Sequence, residues 1–234
     1  MKKILRLLSL LLLVVPTGCD WLGPKAEPEV NMVLVYLAGN NNLSSYISNN
    51  ITEIVGGYIP PMSNKNQQLL VFISLVGDDA VLRRYCCNKK GEVLYEDLKN
   101  YGEDFDACTP DALAQILDDA ELICHPTHRT MLFSSHGSAW LPSGYYSHST
   151  DASGAAEERL AVPVTKADYP HAAVNSIGQD ADTGNELDIT DFARIAGRYH
   201  WDSILIDCCY GGSVELAYEL RSICDYLIGS AHEL

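Results

Sequence analysis

The segment that decides the fold runs from Ser203 to Leu216 and reads SILIDCCYGGSVEL. Its short apolar run ends in one acid and two thiols, and two glycines precede a stretch with apolar residues at helical spacing. This order predicts a buried strand, a tight turn and a helix. The thiols therefore lie at the carboxyl edge of a sheet, where α/β proteins bind ligands. The start of a helix nearby favours thiolate over thiol.

The rest of the chain alternates between the same two kinds of element. Continuous apolar runs predict parallel strands at residues 32–38, 69–76, 130–135 and 226–229, and a hairpin at residues 81–98 extends the sheet at an edge. Helices are predicted at residues 43–55, 109–123, 187–199 and 213–223, the second with Thr109 as its N-cap. Residues 138–185 lack periodicity and carry no predicted element. The pattern predicts an α/β sandwich with a mostly parallel central sheet.

The N-terminus carries an export signal. Three basic residues precede an almost wholly apolar run, and small residues lead to Cys19. We interpret residues 1–18 as a lipoprotein-type signal peptide, Cys19 as the lipidated first residue, residues 19–30 as a tether and residues 31–234 as the folded domain. An ordinary secretory signal or an uncleaved anchor is the alternative. The lipoprotein interpretation predicts a cell-envelope protein, at the outer membrane or cell surface, that touches the membrane only through its lipid. The alternative predicts a periplasmic or secreted one.

The formal net charge of −15 restricts the partners. An acidic surface repels nucleic acid, so nucleic-acid partners are not expected. Such a surface attracts basic peptides, although a solvated acidic surface without a partner is the more common explanation.

Seven cysteines follow Cys19, and their spacing contains no C-x-x-C motif. A zinc site or a thioredoxin-like redox function therefore has little support. The odd count in an exported chain implies at least one thiol outside an intramolecular disulfide.

Two predicted strands end in residues that suit nucleophilic catalysis. The third strand along the chain ends in His136 and Gly137, and the fourth ends in Asp207, Cys208 and Cys209. If these strands are neighbours, an imidazole and a thiol face each other across one sheet edge as proton carrier and nucleophile. The Gly137 N–H is then placed to hold an oxyanion. The alternatives are a structural loop histidine and a buried thiol, and strand alternation alone does not choose between the two thiols.

Four segments resemble the clostripain-like cysteine peptidases. Residues 132–140, LFSSHGSAW, are similar to the histidine block of that family, and residues 207–215, DCCYGGSVE, to its DACLMxxVE block. Residues 36–43, YLAGNNNL, resemble its first strand and turn. Residues 177–180 with residues 187–189 resemble the segment before the nucleophile strand. The resemblance runs from Asn31 to the C-terminus and implies a caspase-like α/β/α fold.

The resemblance also assigns roles to individual residues. It implies that Cys209 is the nucleophile, with Cys208 as the second choice because it falls where the family has alanine. His136 would carry the proton to the leaving amine. Asp207 would form the primary specificity pocket for Arg or Lys, and a carboxylate that caps the following turn is its alternative. No cofactor is implied. Calcium stays open, because Asp180, Asp182 and Asp188 form no recognisable calcium loop.

The chain also departs from the family pattern. Tyr210 and Gly211 replace Leu and Met behind the nucleophile, and the linker that precedes it is long. Arg159 and Lys166 in that linker are candidates for self-processing, with ordinary loop residues as the alternative. The family continues beyond the last strand, so we expect the C-terminal part of its fold to be absent.

The sequence therefore predicts an exported cysteine endopeptidase that cleaves after Arg or Lys through a Cys–His dyad and a thioester acyl-enzyme. The alternative is an inactive or truncated peptidase-derived surface protein that binds basic peptides.

Overall fold

The computed structural model describes residues 28–142 and 175–232. The strands are β1 (Asn31–Gly39), β2 (Gln67–Leu75), β3 (Ala80–Cys87), β4 (Val93–Gly102), β5 (His128–Ser134), β6 (Gly137–Pro142), β7 (Asn175–Gln179), β8 (Glu186–Asp188), β9 (Trp201–Asp207) and β10 (Cys224–Gly229). The helices are α1 (Ser44–Gly56), α2 (Pro110–Cys124), α3 (Ile189–Ala196) and α4 (Val214–Leu220). Within the described ranges, no helix is long and apolar enough to cross a membrane.

Seven strands form the central sheet in the order β10–β9–β5–β1–β2–β3–β4. The first five of these strands are parallel to one another, and β3 and β4 add an antiparallel hairpin next to β2 at one edge. The mostly parallel sheet and the edge hairpin are both confirmed.

Helices cover both faces of this sheet, because its strands are apolar on both sides. On one face, Tyr36, Phe72 and Phe133 pack in a single core with residues of α2, α3 and α4. On the other face, Val35 and Val71 pack in a second core with Ile47 of α1 and other residues. This confirms the α/β/α arrangement.

The helix starts follow their capping signals. The Thr109 hydroxyl accepts a hydrogen bond from Ala112 N at 3.2 Å, with Pro110 as the first residue of α2. Asp188 caps α3, and Leu187, predicted to be helical, lies in β8 instead. The last predicted helix is also shorter than expected, because α4 ends at Leu220.

The prediction of an element-free segment from residue 138 to residue 185 is wrong. Strands β6, β7 and β8 form a small antiparallel sheet in that order, which begins directly after His136. These strands have three to six residues. Their buried side chains include the serines Ser138 and Ser176, whose hydroxyls lie 2.8 Å apart. Because these strands are short and some of their buried residues are polar, their sequences show no sustained alternation of apolar and polar residues.

Candidate active site

The two strands that carry the predicted dyad lie side by side in the central sheet. Strands β5 and β9 are parallel, and Ser134 is the register partner of Asp207 at their carboxyl ends. His136 and Cys209 each follow two residues beyond that pair. The structure thus meets the condition, left open by the sequence, that these two strands are neighbours.

A cleft of about 500 Å³ opens at this edge, between the strand ends and the first turns of α1. Its volume lies within the range of about 300–1,000 Å³ that small-molecule sites occupy. The cleft is lined by Ser134, Ser135, His136, Asp207, Cys208 and Cys209 from the sheet side, and by Leu43, Tyr46, Ile47 and Asn50 from the α1 side. The structure thus brings the predicted thiols, imidazole and carboxylate to one site.

The two adjacent thiols have different surroundings. Cys208 is 2% exposed and packs in the core with α2 and α3. Burial raises the pKa of the Cys208 thiol far above its ordinary value, and a hydrogen bond from the Ser135 backbone opposes that effect only in part. Cys209 is partly exposed at the cleft. A thiol that stays protonated in the core is a poor nucleophile, so the geometry favours Cys209.

The imidazole and the backbone of His136 each have a hydrogen-bond partner. Its Nε2 lies 2.5 Å from Asn42 Oδ1, and its backbone carbonyl accepts a hydrogen bond from Gly178 N at 2.7 Å. Burial lowers the pKa of His136 from its ordinary value of 6.5, and the Glu186 carboxylate opposes this shift. The ring is therefore neutral at neutral pH and can accept a proton.

Asn42 was not singled out by the sequence analysis. It is the last of three consecutive asparagines that follow β1, and the sequence prediction includes them only in residues 36–43, which resemble the first strand and turn of the family. The sequence signal that could have identified Asn42 is the run of polar amides directly after a buried strand.

Asp207 lies in the cleft beside the strand ends. Its Oδ2 accepts a hydrogen bond from the Ser134 hydroxyl at 2.9 Å. The donor therefore belongs to the neighbouring strand β5. Within the described part of the chain, no backbone N–H of the turn after β9 donates to the Asp207 side chain. Asp207 forms no ion pair with a residue in the described part of the chain. A carboxylate with these surroundings can accept a cationic side chain.

Gly137 packs directly against the two thiol residues. A Cβ atom at this position would lie 2.8 Å from Cys208 Cβ and 2.9 Å from Cys209 O. No side chain fits there without displacing the backbone that carries both thiols. The close approach of the Gly137 backbone to Cys208 and Cys209 therefore requires a glycine at this position.

The turn after Cys209 is fixed against the end of β10. Tyr210 has a left-handed φ of 59°, which is uncommon for a residue with a side chain. The Tyr210 N–H donates to His232 O at 3.0 Å, and the Gly212 N–H donates to Ser230 O at 2.7 Å. A Cβ atom on Gly212 would lie 2.7 Å from Gly229 O. Close backbone packing thus explains the glycine and holds Cys209 at the sheet edge.

The other residues that the sequence analysis singled out do not line this cleft or lie outside the described residues. Cys19, Arg159 and Lys166 lie outside the described residues. In the described ranges, no group of His, Cys, Asp and Glu side chains suits a metal ion. Asp180 and Asp182 both accept hydrogen bonds from Asn40 Nδ2, each at 3.0 Å.

Comparison with known proteins identifies the family of the chain. The profile of the Clostripain family matches residues 35–157 and 165–234. The chain belongs to the clostripain family of cysteine peptidases, which confirms the resemblance and the caspase-like fold. Comparison with curated protein sequences finds no match.

Solved structures of relatives match most of this chain. An inactive zymogen of a C11 protease from Parabacteroides distasonis is 24% identical, with a TM-score of 0.65 over 90% of this chain and 51% of that one. A secreted C11 cysteine protease from Bacteroides thetaiotaomicron, in complex with an irreversible peptide inhibitor, is 26% identical, with a TM-score of 0.67 over 88% of this chain and 49% of that one. The chain thus spans about half the length of each of these two structures.

Proposed function

We propose that this protein is an exported, lipid-anchored cysteine endopeptidase that cleaves after Arg or Lys. One observation carries the proposal: Cys209, His136 and Asp207 line a single cleft at the ends of two neighbouring parallel strands. A nucleophile, a proton carrier and an anionic pocket are the three parts that such a reaction needs.

The reaction follows from the positions of these groups. The proton of the Cys209 thiol moves to His136, and the thiolate sulfur attacks the carbonyl carbon of the scissile peptide bond. The C–N bond breaks while the imidazolium gives its proton to the leaving amine, which leaves a thioester on Cys209. Water activated by the neutral imidazole then hydrolyses the thioester and releases the acid product and the free thiol.

The assignment of the oxyanion donor rests on close packing. In the tetrahedral intermediate, the former carbonyl oxygen carries negative charge near the attacked carbon. The Gly137 backbone lies against Cys208 and Cys209, so its N–H is a candidate donor for that oxygen.

The assignment of Asp207 to the primary specificity pocket rests on charge and position. The carboxylate lies in the cleft beside Cys209, and its Oδ2 is oriented by Ser134. A guanidinium or ammonium group that binds there gains a charge-assisted hydrogen bond. The net charge of −15 adds a long-range attraction for basic peptides.

Export, anchoring and processing extend the same proposal. Residues 1–18 are assigned as the signal peptide, Cys19 as the lipidated residue, residues 19–30 as the tether and residues 31–234 as the peptidase domain. The description of one relative as secreted supports export. Cleavage of the linker after Lys166 or Arg159 is the proposed self-processing.

A second candidate is a peptidase-derived surface protein that binds basic peptides without turnover. The observations that favour it are the net charge of −15 and the Asp207 carboxylate in the cleft, which attract a basic side chain whether or not cleavage follows. In this case Asp207 would hold a basic side chain in a cleft that performs no chemistry.

Covalent labelling separates the two candidates. A chloromethyl ketone with an Arg residue should alkylate Cys209 stoichiometrically, as peptide mapping by mass spectrometry would show. The His136→Ala variant should label much more slowly. Binding of basic peptides by a folded protein that shows neither labelling nor turnover would contradict the enzyme and support the binding protein.

A further inference from the structure

The side chain of Asn42 contacts the imidazole of His136 at the cleft. Its Oδ1 lies 2.5 Å from His136 Nε2. An amide oxygen only accepts hydrogen bonds, so Nε2 carries the proton in this contact. The neutral ring then has its lone pair on Nδ1, which is the nitrogen able to take a proton from a thiol.

Asn41 fixes the turn that presents Asn42. The Asn41 Nδ2 donates to Ala38 O at 3.2 Å and to Gln179 O at 2.8 Å. Its Oδ1 accepts a hydrogen bond from Leu43 N at 2.9 Å. One buried amide thus joins the end of β1, the start of α1 and strand β7.

Asn40 joins the same turn to the loop between β7 and β8. Its Nδ2 donates to Asp180 Oδ2 and Asp182 Oδ2, each at 3.0 Å, and its backbone carbonyl accepts a hydrogen bond from Ala181 N at 2.8 Å. Gly178 of β7 donates its backbone N–H to the carbonyl of His136. Strand β7 and the loop that follows it therefore contact both the turn that carries Asn42 and the backbone of His136. Asn42 is therefore held in place by its neighbours, and its own oxygen faces the imidazole.

We propose that Asn42 is a positioning residue that fixes His136 in the Nε2–H tautomer and directs Nδ1 to the thiol of Cys209. This inference rests on the proposed peptidase function. The proposed role is exerted through the imidazole, because the contact that carries it joins Asn42 Oδ1 to His136 Nε2.

The contact strengthens as the reaction proceeds. When Nδ1 takes the thiol proton, the ring becomes cationic and the Nε2–H···Oδ1 hydrogen bond becomes charge-assisted. The titratable groups near the ring are Glu186 of β8, whose charge acts on the imidazole, and the cleft residues Asp207 of β9, Cys208, Cys209 and Tyr46 of α1. Loss of the Asn42 oxygen should lower kcat more than it changes KM, because the interaction gains strength after substrate binds.

Nitrogen-15 NMR of the histidine ring tests the tautomer without any need for turnover. The mature chain with Cys209→Ala removes thiol ionisation, and Asn42→Ala and Asn42→Asp are added to it. The parent should show the Nε2–H tautomer at high pH. Asn42→Ala should mix the tautomers and lower the pKa of His136, and Asn42→Asp should keep the tautomer and raise that pKa by about one to three pH units.

A matched control distinguishes positioning from a general loss of order. Asn100 donates from its side-chain amide to Asp79 Oδ2 at 2.7 Å in the distant edge hairpin, so Asn100→Ala should leave the His136 resonances unchanged. Identical tautomer and pKa in the parent, Asn42→Ala and Asn42→Asp would overturn the proposal. If Asn42→Ala does not fold, the opposite charge of Asn42→Asp still provides the decisive shift.

With Cys209 present, Asn42→Ala should lower kcat by about 10-fold to 100-fold, below the roughly 10²-fold to 10⁴-fold that proton transfer by a positioned side chain contributes. Asn42→Asp should restore part of that loss. Equal kcat in the wild type and Asn42→Ala would contradict the inference. A wild type that shows the predicted tautomer but no turnover would refute the proposed function alone.

Discussion

Ser134 and Asp207 are register partners at the ends of two parallel strands, and the Ser134 hydroxyl donates to Asp207 Oδ2 at 2.9 Å. The pair aligns the strand ends from which the chain continues to His136 on one side and to Cys209 on the other. It also orients the carboxylate within the cleft. One cross-strand contact thus connects the proposed specificity group to the proposed dyad.

Replacement of Asp207 by Asn should remove the preference for basic substrates. The change keeps the size of the side chain and removes the charge that would pair with Arg or Lys. We expect kcat/KM for an Arg peptide to fall by about 100-fold, equal to roughly 2.7 kcal/mol. Steady-state kinetics with Arg and Ala peptides check this result. An unchanged Arg-to-Ala ratio would place the specificity pocket elsewhere.

Replacement of Gly137 by Ala should disturb the turn beneath the nucleophile. A methyl group there would lie 2.8 Å from Cys208 Cβ, and overpacking of this kind costs about 1–3 kcal/mol. The measurement is urea denaturation. Gly56 is the matched control, because a Cβ atom at Gly56 meets nothing within 4 Å, so Gly56→Ala should not destabilise the protein. Equal stability of the two variants would show that the backbone at Gly137 has more room than its contacts indicate.

The two adjacent thiols should differ in their reactivity with iodoacetamide. Burial raises the pKa of the Cys208 thiol, and its side chain is 2% exposed. In native protein at pH 8, we expect alkylation of Cys209 while Cys208 stays unmodified, and alkylation of both in denaturant. Peptide mapping follows both sites. Faster reaction of Cys208 in native protein would exchange the roles of the two residues.

The stability of the fold should depend on pH through His136. Because its folded-state pKa lies below the ordinary value of 6.5, the unfolded chain binds a proton first as pH falls. The contribution of the neutral ring to stability is complete above about pH 6.5 and is lost as pH falls through that value toward the folded-state pKa. The free energy of unfolding of wild type minus that of His136→Ala should therefore be smaller at pH 5 than at pH 7.5.

Denaturant titrations of both proteins at the two pH values measure that difference. The comparison with His136→Ala isolates the contribution of His136 from that of the rest of the chain. The same difference at both pH values would show that His136 titrates alike in the folded and unfolded chains.

The sequence predicts the main sheet well, because buried parallel strands are continuous apolar runs. The segment 203–216 shows this most clearly, since its apolar run, acid, thiols and glycines each have a position that the fold explains. The neighbouring position of the two site strands was only a condition, because apolar runs do not determine the order of strands in a sheet. Strand alternation could not choose between Cys208 and Cys209, because both follow the last residue of β9 and their orientation depends on the turn. The left-handed Tyr210 and the packing of Gly212 against Gly229 set that turn, and these contacts come from distant residues.

Asn42 shows a second reason why the sequence predicts the candidate site only in part. Its role depends on contact with His136, which is 94 residues away. The small sheet that starts at Gly137 was missed because its strands are short and its buried residues include serines. A local sequence pattern therefore indicates neither the contact between Asn42 and His136 nor the pairing of these short strands.

Hydrolysis of paired fluorogenic peptides ending in Arg, Lys, Ala or Asp tests the central claim most directly. Wild type, Cys209→Ala, Cys208→Ala and His136→Ala would be compared as mature chains without Cys19. We predict turnover of the Arg and Lys peptides only, lost in Cys209→Ala and His136→Ala and kept in Cys208→Ala. Folded wild-type protein that cleaves none of the four peptides would contradict the account.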